Sequence, residues 1–179
     1  LTAIFLWSSV ASVFKITLRH TTFLQMLFWS SFVAAVTLGI IAVSRNKIPQ
    51  IRHMSLADWG RSAVLGLLNP FLYYLILFKA YDLLPAQEAQ ALNYAWPIML
   101  VLMSILILKQ RIGYLSILAV MISFSGIWVI STRGDVLGLH FANPLGASLA
   151  LSSSIIWASF WIMNIRDRRD EVVKLFFSF

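Results

Sequence analysis

No cysteine occurs among the 179 residues of this chain. That excludes disulfides, thiolate nucleophiles and thiolate metal centres. Charge is scarce as well, at 12% of residues, against about 25% in soluble domains. HExxH, G-x-S-x-G, phosphate-cradling glycine loops and paired-carboxylate motifs are all missing from the sequence. An enzyme is therefore not expected. His20, His53 and His140 fall in separate inter-helix segments, so no metal site and no cofactor is expected either.

What fills the chain instead is apolar, with 60% of residues hydrophobic. These residues come in long runs, and a membrane-spanning helix needs about 20 of them. Backbone polar groups in hydrocarbon must pair within the chain, so each run predicts a helix. The runs place spans at residues 1–18, 23–43, 62–78, 85–108, 112–130 and 144–165. A seventh begins near Val172. The chain opens on Leu1 inside one apolar run and closes inside another, as a fragment of a larger protein would.

The net charge of +7 sits between the runs, as loop charges of a membrane protein do. No interleaving of basic and aromatic residues suggests nucleic acid; the expected partners are the lipid bilayer and a small-molecule substrate. Arg45, Lys47, Arg52 and Arg61 lie between spans two and three, Lys109 and Arg111 after span four, and Arg166, Arg168, Arg169 and Lys174 after span six. The other connections hold only Lys15 with Arg19, Lys79 and Arg133. The positive-inside bias makes the even-numbered connections, and the start of span one, cytoplasmic. Monomer and homodimer both stay open.

Trp7-Ser8-Ser9-Val10 in span one aligns with Trp157-Ala158-Ser159-Phe160 in span six, with five spans in each period. An odd number of spans sends the second copy in from the opposite side, which predicts an inverted repeat. The first repeat would cover residues 1–131, and the start of the second, truncated one residues 144–179.

Polar residues in hydrocarbon face the bundle interior or a wet cavity. Span four carries the densest set. Gln87, Gln90, Tyr94 and Pro97 form one stripe, with Asn93 and Trp96 beside it. Pro97 lacks the N–H that would bond the Asn93 carbonyl, so a kink is expected there. Asn69, Pro70, Tyr73 and Tyr74 make a second break in span three. The substrate-cavity candidates are Asn93, Tyr94, Trp96, Pro97, Ser9, Trp157 and Tyr73. The competing role for all of them is helix-packing glue, which is also the plainer role for Ser8 and Ser12. Lys15 and Glu88 fall at similar depth and are candidates for an outer gate or a charge anchor; the alternative is that each reaches the outer interface alone.

The tryptophan–serine opening of span one with Lys15, the span-four segment ending in Pro97, and Ser125-Gly126-Ile127 in span five resemble the EamA-type drug/metabolite transporter superfamily. Asn93-Tyr94-Ala95-Trp96-Pro97, preceded by Glu88, is similar to a motif of its aromatic amino acid exporter branch. Gln110 after span four, where the superfamily usually has Glu, and Trp29-Ser30 in span two, where it has Arg, are similar to that branch too. The resemblance implies an all-α multi-span bundle of ten helices in two inverted five-helix repeats. It implies a secondary carrier in a bacterial inner membrane, exporting small metabolites, aromatic amino acids foremost. Carriers of sugars, nucleotide sugars or cationic drugs, and a non-transporting scaffold, are the alternatives.

Overall fold

A computed structural model describes residues 2–132, 134–135 and 143–179, with side chains except those of residues 2–6, 8 and 131. The Ser8 side chain, Arg133 and His140 thus lie outside the described residues. Every regular element described is helical. In chain order these are α1 (Thr2–Thr17), α2 (Phe23–Ser44), α3 (Ile48–Arg52), α4 (Leu56–Gly66), α5 (Tyr73–Leu83), α6 (Ala86–Asn93), α7 (Trp96–Leu108), α8 (Tyr114–Ser131), α9 (Pro144–Arg166) and α10 (Glu171–Ser178).

Local chemistry sets the helix starts. Thr22 and Gln25 form a reciprocal capping box at α2, and Ser55 and Asp58 form another at α4. The Asn143 side chain accepts from the Gly146 N–H at 2.9 Å, with Pro144 opening α9. Lys109 ends α7 in a left-handed conformation, at φ 54°.

Four stretches are long and apolar enough to cross a membrane: Phe23–Ser44, Leu56–Leu83, Ala86–Leu108 and Pro144–Arg166. The third expected span, 62–78, is longer than its apolar run. The Ser55 cap starts the helix earlier, and a π-helical turn at Leu67–Leu72 carries it past the break at Asn69 and Pro70. Span four is in two pieces, α6 and α7, with Pro97 in the first turn of the second. The expected first and fifth spans are α1 and α8, of 16 and 18 residues. Phe28, Trp29, Phe32, Val33 and Ile40 stand exposed along α2. Contiguous apolar surface of this kind suits hydrocarbon rather than water.

The α4–α5 rod runs antiparallel to α9. A Cβ on Gly146 would fall 2.7 Å from Leu84 Cγ at one end. The rings of Tyr73 and Trp157 lie 4.5 Å apart in the middle. Arg169, just past α9, donates to the Ser62 hydroxyl at 2.8 Å at the other end. Small residues let the helices approach: Ala80, Ala89 and Ala150 are fully buried. They share a core with Tyr81, Leu84, Leu92 and Ala147.

Polar contacts lock the Arg169 end. The Arg169 guanidinium also donates to the Asp167 carboxylate and to the Asp58 carbonyl at 3.0 Å. Lys174 is buried and donates to the Asn164 and Asp167 carbonyls and to Glu171. Lys47 pairs with Asp170 at 2.8 Å. The α9–α10 link is thereby fastened to the α2–α4 connection.

Candidate functional site

A cavity of about 230 Å³ opens between α1, α5, α6 and α9. Rings of Trp7, Phe14, Tyr73, Tyr74, Tyr81, Tyr94 and Trp157 wall it, with Val10, Leu77, Gln90 and Asn93. Its size lies just below the roughly 300 Å³ at which drug-sized pockets begin, which suits a metabolite with a single ring system. None of these lining side chains carries a charge.

The ring positions follow from helical spacing. Tyr73, Tyr74, Leu77 and Tyr81 recur at three- and four-residue intervals on α5. Phe14 of α1 meets Tyr74, Phe78 and Tyr81 edge-on, at 6.5, 4.8 and 5.6 Å between centroids. Trp157 lies tilted by 32° against Tyr73. The edge-on contacts of Phe14 leave ring faces of its neighbours open, whereas Tyr73 and Trp157 each cover one face of the other.

The polar groups are held in a fixed chain. The Tyr73 hydroxyl donates to Asn93 Oδ1 at 3.3 Å. Asn93 Nδ2 donates to Ser153 Oγ at 3.0 Å, and Ser153 donates to the Ala150 carbonyl at 2.6 Å. These bonds fix which end of the Asn93 amide faces which helix. They leave one Nδ2 proton and one oxygen lone pair of Asn93 for a ligand.

Four of the expected cavity residues, Asn93, Tyr94, Tyr73 and Trp157, come together here. Trp96, Pro97 and Ser9 do not line the cavity. The break at Tyr94–Ala95 is the reason for the first two: α7 restarts with a new register, so the polar stripe of α6 ends at Tyr94, and Pro97 points to an exposed position. Ser9 is exposed on α1, one residue off the Trp7–Val10–Phe14 face. Phe14, Tyr81 and Ser153 belong to the site although sequence reasoning passed over them. Tyr81 continues the Tyr74 face at a seven-residue interval, which was the available signal; Ser153 in a run of serines carried none.

At the rim, the Lys15 ammonium donates to the Tyr81 carbonyl at 2.6 Å and the Leu84 carbonyl at 2.9 Å. It covers the open end of α5, where carbonyls lack intrahelical partners and the helix dipole favours a cation. Glu88 is buried in the first turn of α6. Among the described ion pairs none joins it to Lys15.

A second space of about 510 Å³ lies between α2 and the end of α10, lined by Leu24, Phe28, Phe32, Pro70 and Phe179 among others. Its lining is apolar apart from Ser31 and Ser178, so it offers few of the convergent polar groups that orient a ligand.

The sequence profile of the EamA-like transporter family matches residues 1–132. A protein of Acidianus ambivalens, named "Uncharacterized transporter in sor 3'region", is 31% identical over 87 residues, which cover 48% of this chain and 33% of that protein. The match thus spans about a third of that relative's length. No solved structure matches the chain.

Proposed function

The chain belongs to the EamA-like transporter family, and from that premise we propose that the whole protein is a secondary carrier exporting small metabolites with an aromatic ring, aromatic amino acids foremost. The carrying observation is the cavity itself: seven aromatic rings around a neutral polar patch of Asn93 and Gln90. Rings of this kind bind a flat apolar group, and the amide patch orients it.

The proposed carrier sits in a bacterial inner membrane with the start of α1 cytoplasmic, as the distribution of lysine and arginine supports. Residues 1–131 form one five-helix repeat and residues 144–179 begin an inverted copy. The substrate sits on Tyr73, Asn93, Tyr94 and Trp157. Lys15 and Glu88 mark the outer rim, as gate or charge anchor. Alternating access opens the cavity to one side while the polar contacts around Arg169 fasten the other.

The test is counterflow of labelled tryptophan and phenylalanine in proteoliposomes holding the full-length protein, with a hexose and a lipophilic cation as competitors. Saturable aromatic exchange untouched by hexose is expected. Exchange inhibited by the cation alone would move the substrate to cationic drugs. No exchange from folded, inserted protein would move the reading to a carrier of other metabolites or to a scaffold role.

A further inference from the structure

Two side-chain amides line the cavity, those of Asn93 and Gln90, and the protein employs only one of them. Asn93 is tied on both sides: its Oδ1 accepts from Tyr73 and its Nδ2 donates to Ser153. The half-buried Gln90 side chain makes no hydrogen bond among the described residues. Its two N–H donors and its acceptor oxygen are all left for whatever enters the cavity.

Gln90 also sits at a different depth from Asn93. Both belong to the regular helix α6, which starts at Ala86 beside the Leu84 carbonyl that Lys15 covers. Gln90 is three residues nearer that start, so it lies about 4.5 Å closer to the rim at 1.5 Å per residue. The Tyr73–Asn93 bond and the Tyr73–Trp157 ring contact mark the inner level. The head group and the ring of an aromatic amino acid are separated by a comparable distance, on the order of one helical turn.

Charge decides what Gln90 can accept. Glu88 lies on the same helix but outside the lining. The three donors of the Lys15 ammonium point at the carbonyls of Tyr81, Asp82 and Leu84. A ligand group of net charge would leave water here and meet no counter-ion, at a large desolvation cost. A zwitterionic head group carries its own counter-charge. An amide matches both of its halves, the oxygen accepting from the ammonium and the NH₂ donating to the carboxylate. We propose that Gln90 is the specificity-determining residue of the cavity: its amide selects a zwitterionic head group on the rim side over cationic and anionic analogues of the same ring. The ring then points inward, to the level of Tyr73 and Trp157. This rests on the carrier reading above and deepens it.

The experiment is equilibrium binding of labelled phenylalanine and labelled indole to the full-length protein in nanodiscs. Phenethylamine, which lacks the carboxylate, and 3-phenylpropionate, which lacks the ammonium, compete against phenylalanine. In the wild type each should compete at least tenfold more weakly than unlabelled phenylalanine. Gln90→Met keeps the length of the side chain and removes its hydrogen bonds. It should weaken phenylalanine at least tenfold and leave indole, a ring without a head group, unchanged. Gln90→Glu supplies a counter-ion for the ammonium and repels the carboxylate. It should make phenethylamine the strongest competitor and weaken 3-phenylpropionate further. Wild-type binding of phenylalanine by Gln90→Met, or an unchanged ranking of the three head groups in Gln90→Glu, overturns the assignment. Indole binding without phenylalanine binding in the wild type overturns it too, while the aromatic cavity stands. If neither compound binds the wild type, it is the carrier reading for ring compounds that fails.

Discussion

The Asn93 side chain donates to the Ser153 hydroxyl at 3.0 Å, joining α6 to α9 across sixty residues of sequence. Both residues are buried. Asn93→Leu removes this bond and also the acceptor of the Tyr73 hydroxyl. Ser153→Ala removes one acceptor and strands the Asn93 N–H. Each single change should destabilise the protein by about 1–3 kcal/mol, the cost of a buried group left unpaired. The coupling in a double-mutant cycle should be smaller, on the order of 0.6 kcal/mol, as for other interhelical bonds in membranes. Unfolding in mixed micelles measures both; additive losses would mean that the bond contributes nothing in the bilayer-embedded protein.

Trp157→Ala should weaken substrate binding at least tenfold, because it removes a wall of the cavity and the ring that Tyr73 rests on. Trp96→Ala should weaken it less, since Trp96 stands outside the lining. Binding titrations on the two variants rank them directly. The reverse order would mean that α7 turns Trp96 into the cavity in the binding state.

Part of this was readable from sequence. Spans 23–43 and 144–165 stand out because an unbroken apolar run leaves the backbone no alternative in lipid, and α2 and α9 match them closely. The boundaries of 62–78 were less legible, because the Ser55–Asp58 cap extends the helix through polar sequence. Within the site, Tyr73, Asn93, Tyr94 and Trp157 were visible as polar or aromatic residues at breaks or in repeat positions. Trp96 stands outside the lining because the helix is interrupted at Tyr94–Ala95. The partners of Lys15 were not legible, because they are backbone carbonyls, which every residue has and no sequence pattern marks.

Gly66→Ala should separate α10 from α4. A Cβ there would fall 2.6 Å from the Ser178 carbonyl oxygen, a backbone atom that cannot rotate away. Gly146→Ala meets Leu84 Cγ at 2.7 Å and Leu83 Cβ at 3.1 Å, so it costs stability too, although no backbone atom lies as near as at Gly66. Gly60→Ala meets nothing within 4 Å, and it gains helix propensity. Thermal unfolding in detergent should rank them with Gly66→Ala least stable, by about 1–3 kcal/mol, and Gly60→Ala at or above wild type. Equal melting of the first and last would remove the close approach of α10.

The Arg169–Asp167 contact should make the α9–α10 link acid-sensitive. Side-chain hydrogen bonds from Arg169 hold the Asp167 carboxyl below its usual value. Burial opposes the shift, while the Arg169 backbone N–H and the charges of Arg169 and Lys174 reinforce it. Because the folded-state value is depressed, the stabilisation is fully present above the unfolded value of about 3.9. It is lost as pH falls through the lower, folded-state value. Protection of the α9–α10 link from protease should therefore be flat from neutral pH to about 4 and decline below it. Asp167→Asn should remove this decline and lower protection at neutral pH. Arg169→Lys should shift the decline to higher pH, since an ammonium cannot serve the Asp167 carboxylate, the Asp58 carbonyl and the Ser62 hydroxyl with the geometry of a guanidinium fork. An acid transition unchanged in Asp167→Asn would assign it to another carboxylate, with Asp170 next in line: its own depression comes from the hydrogen bond with Lys47, and that more exposed pair should weaken with salt.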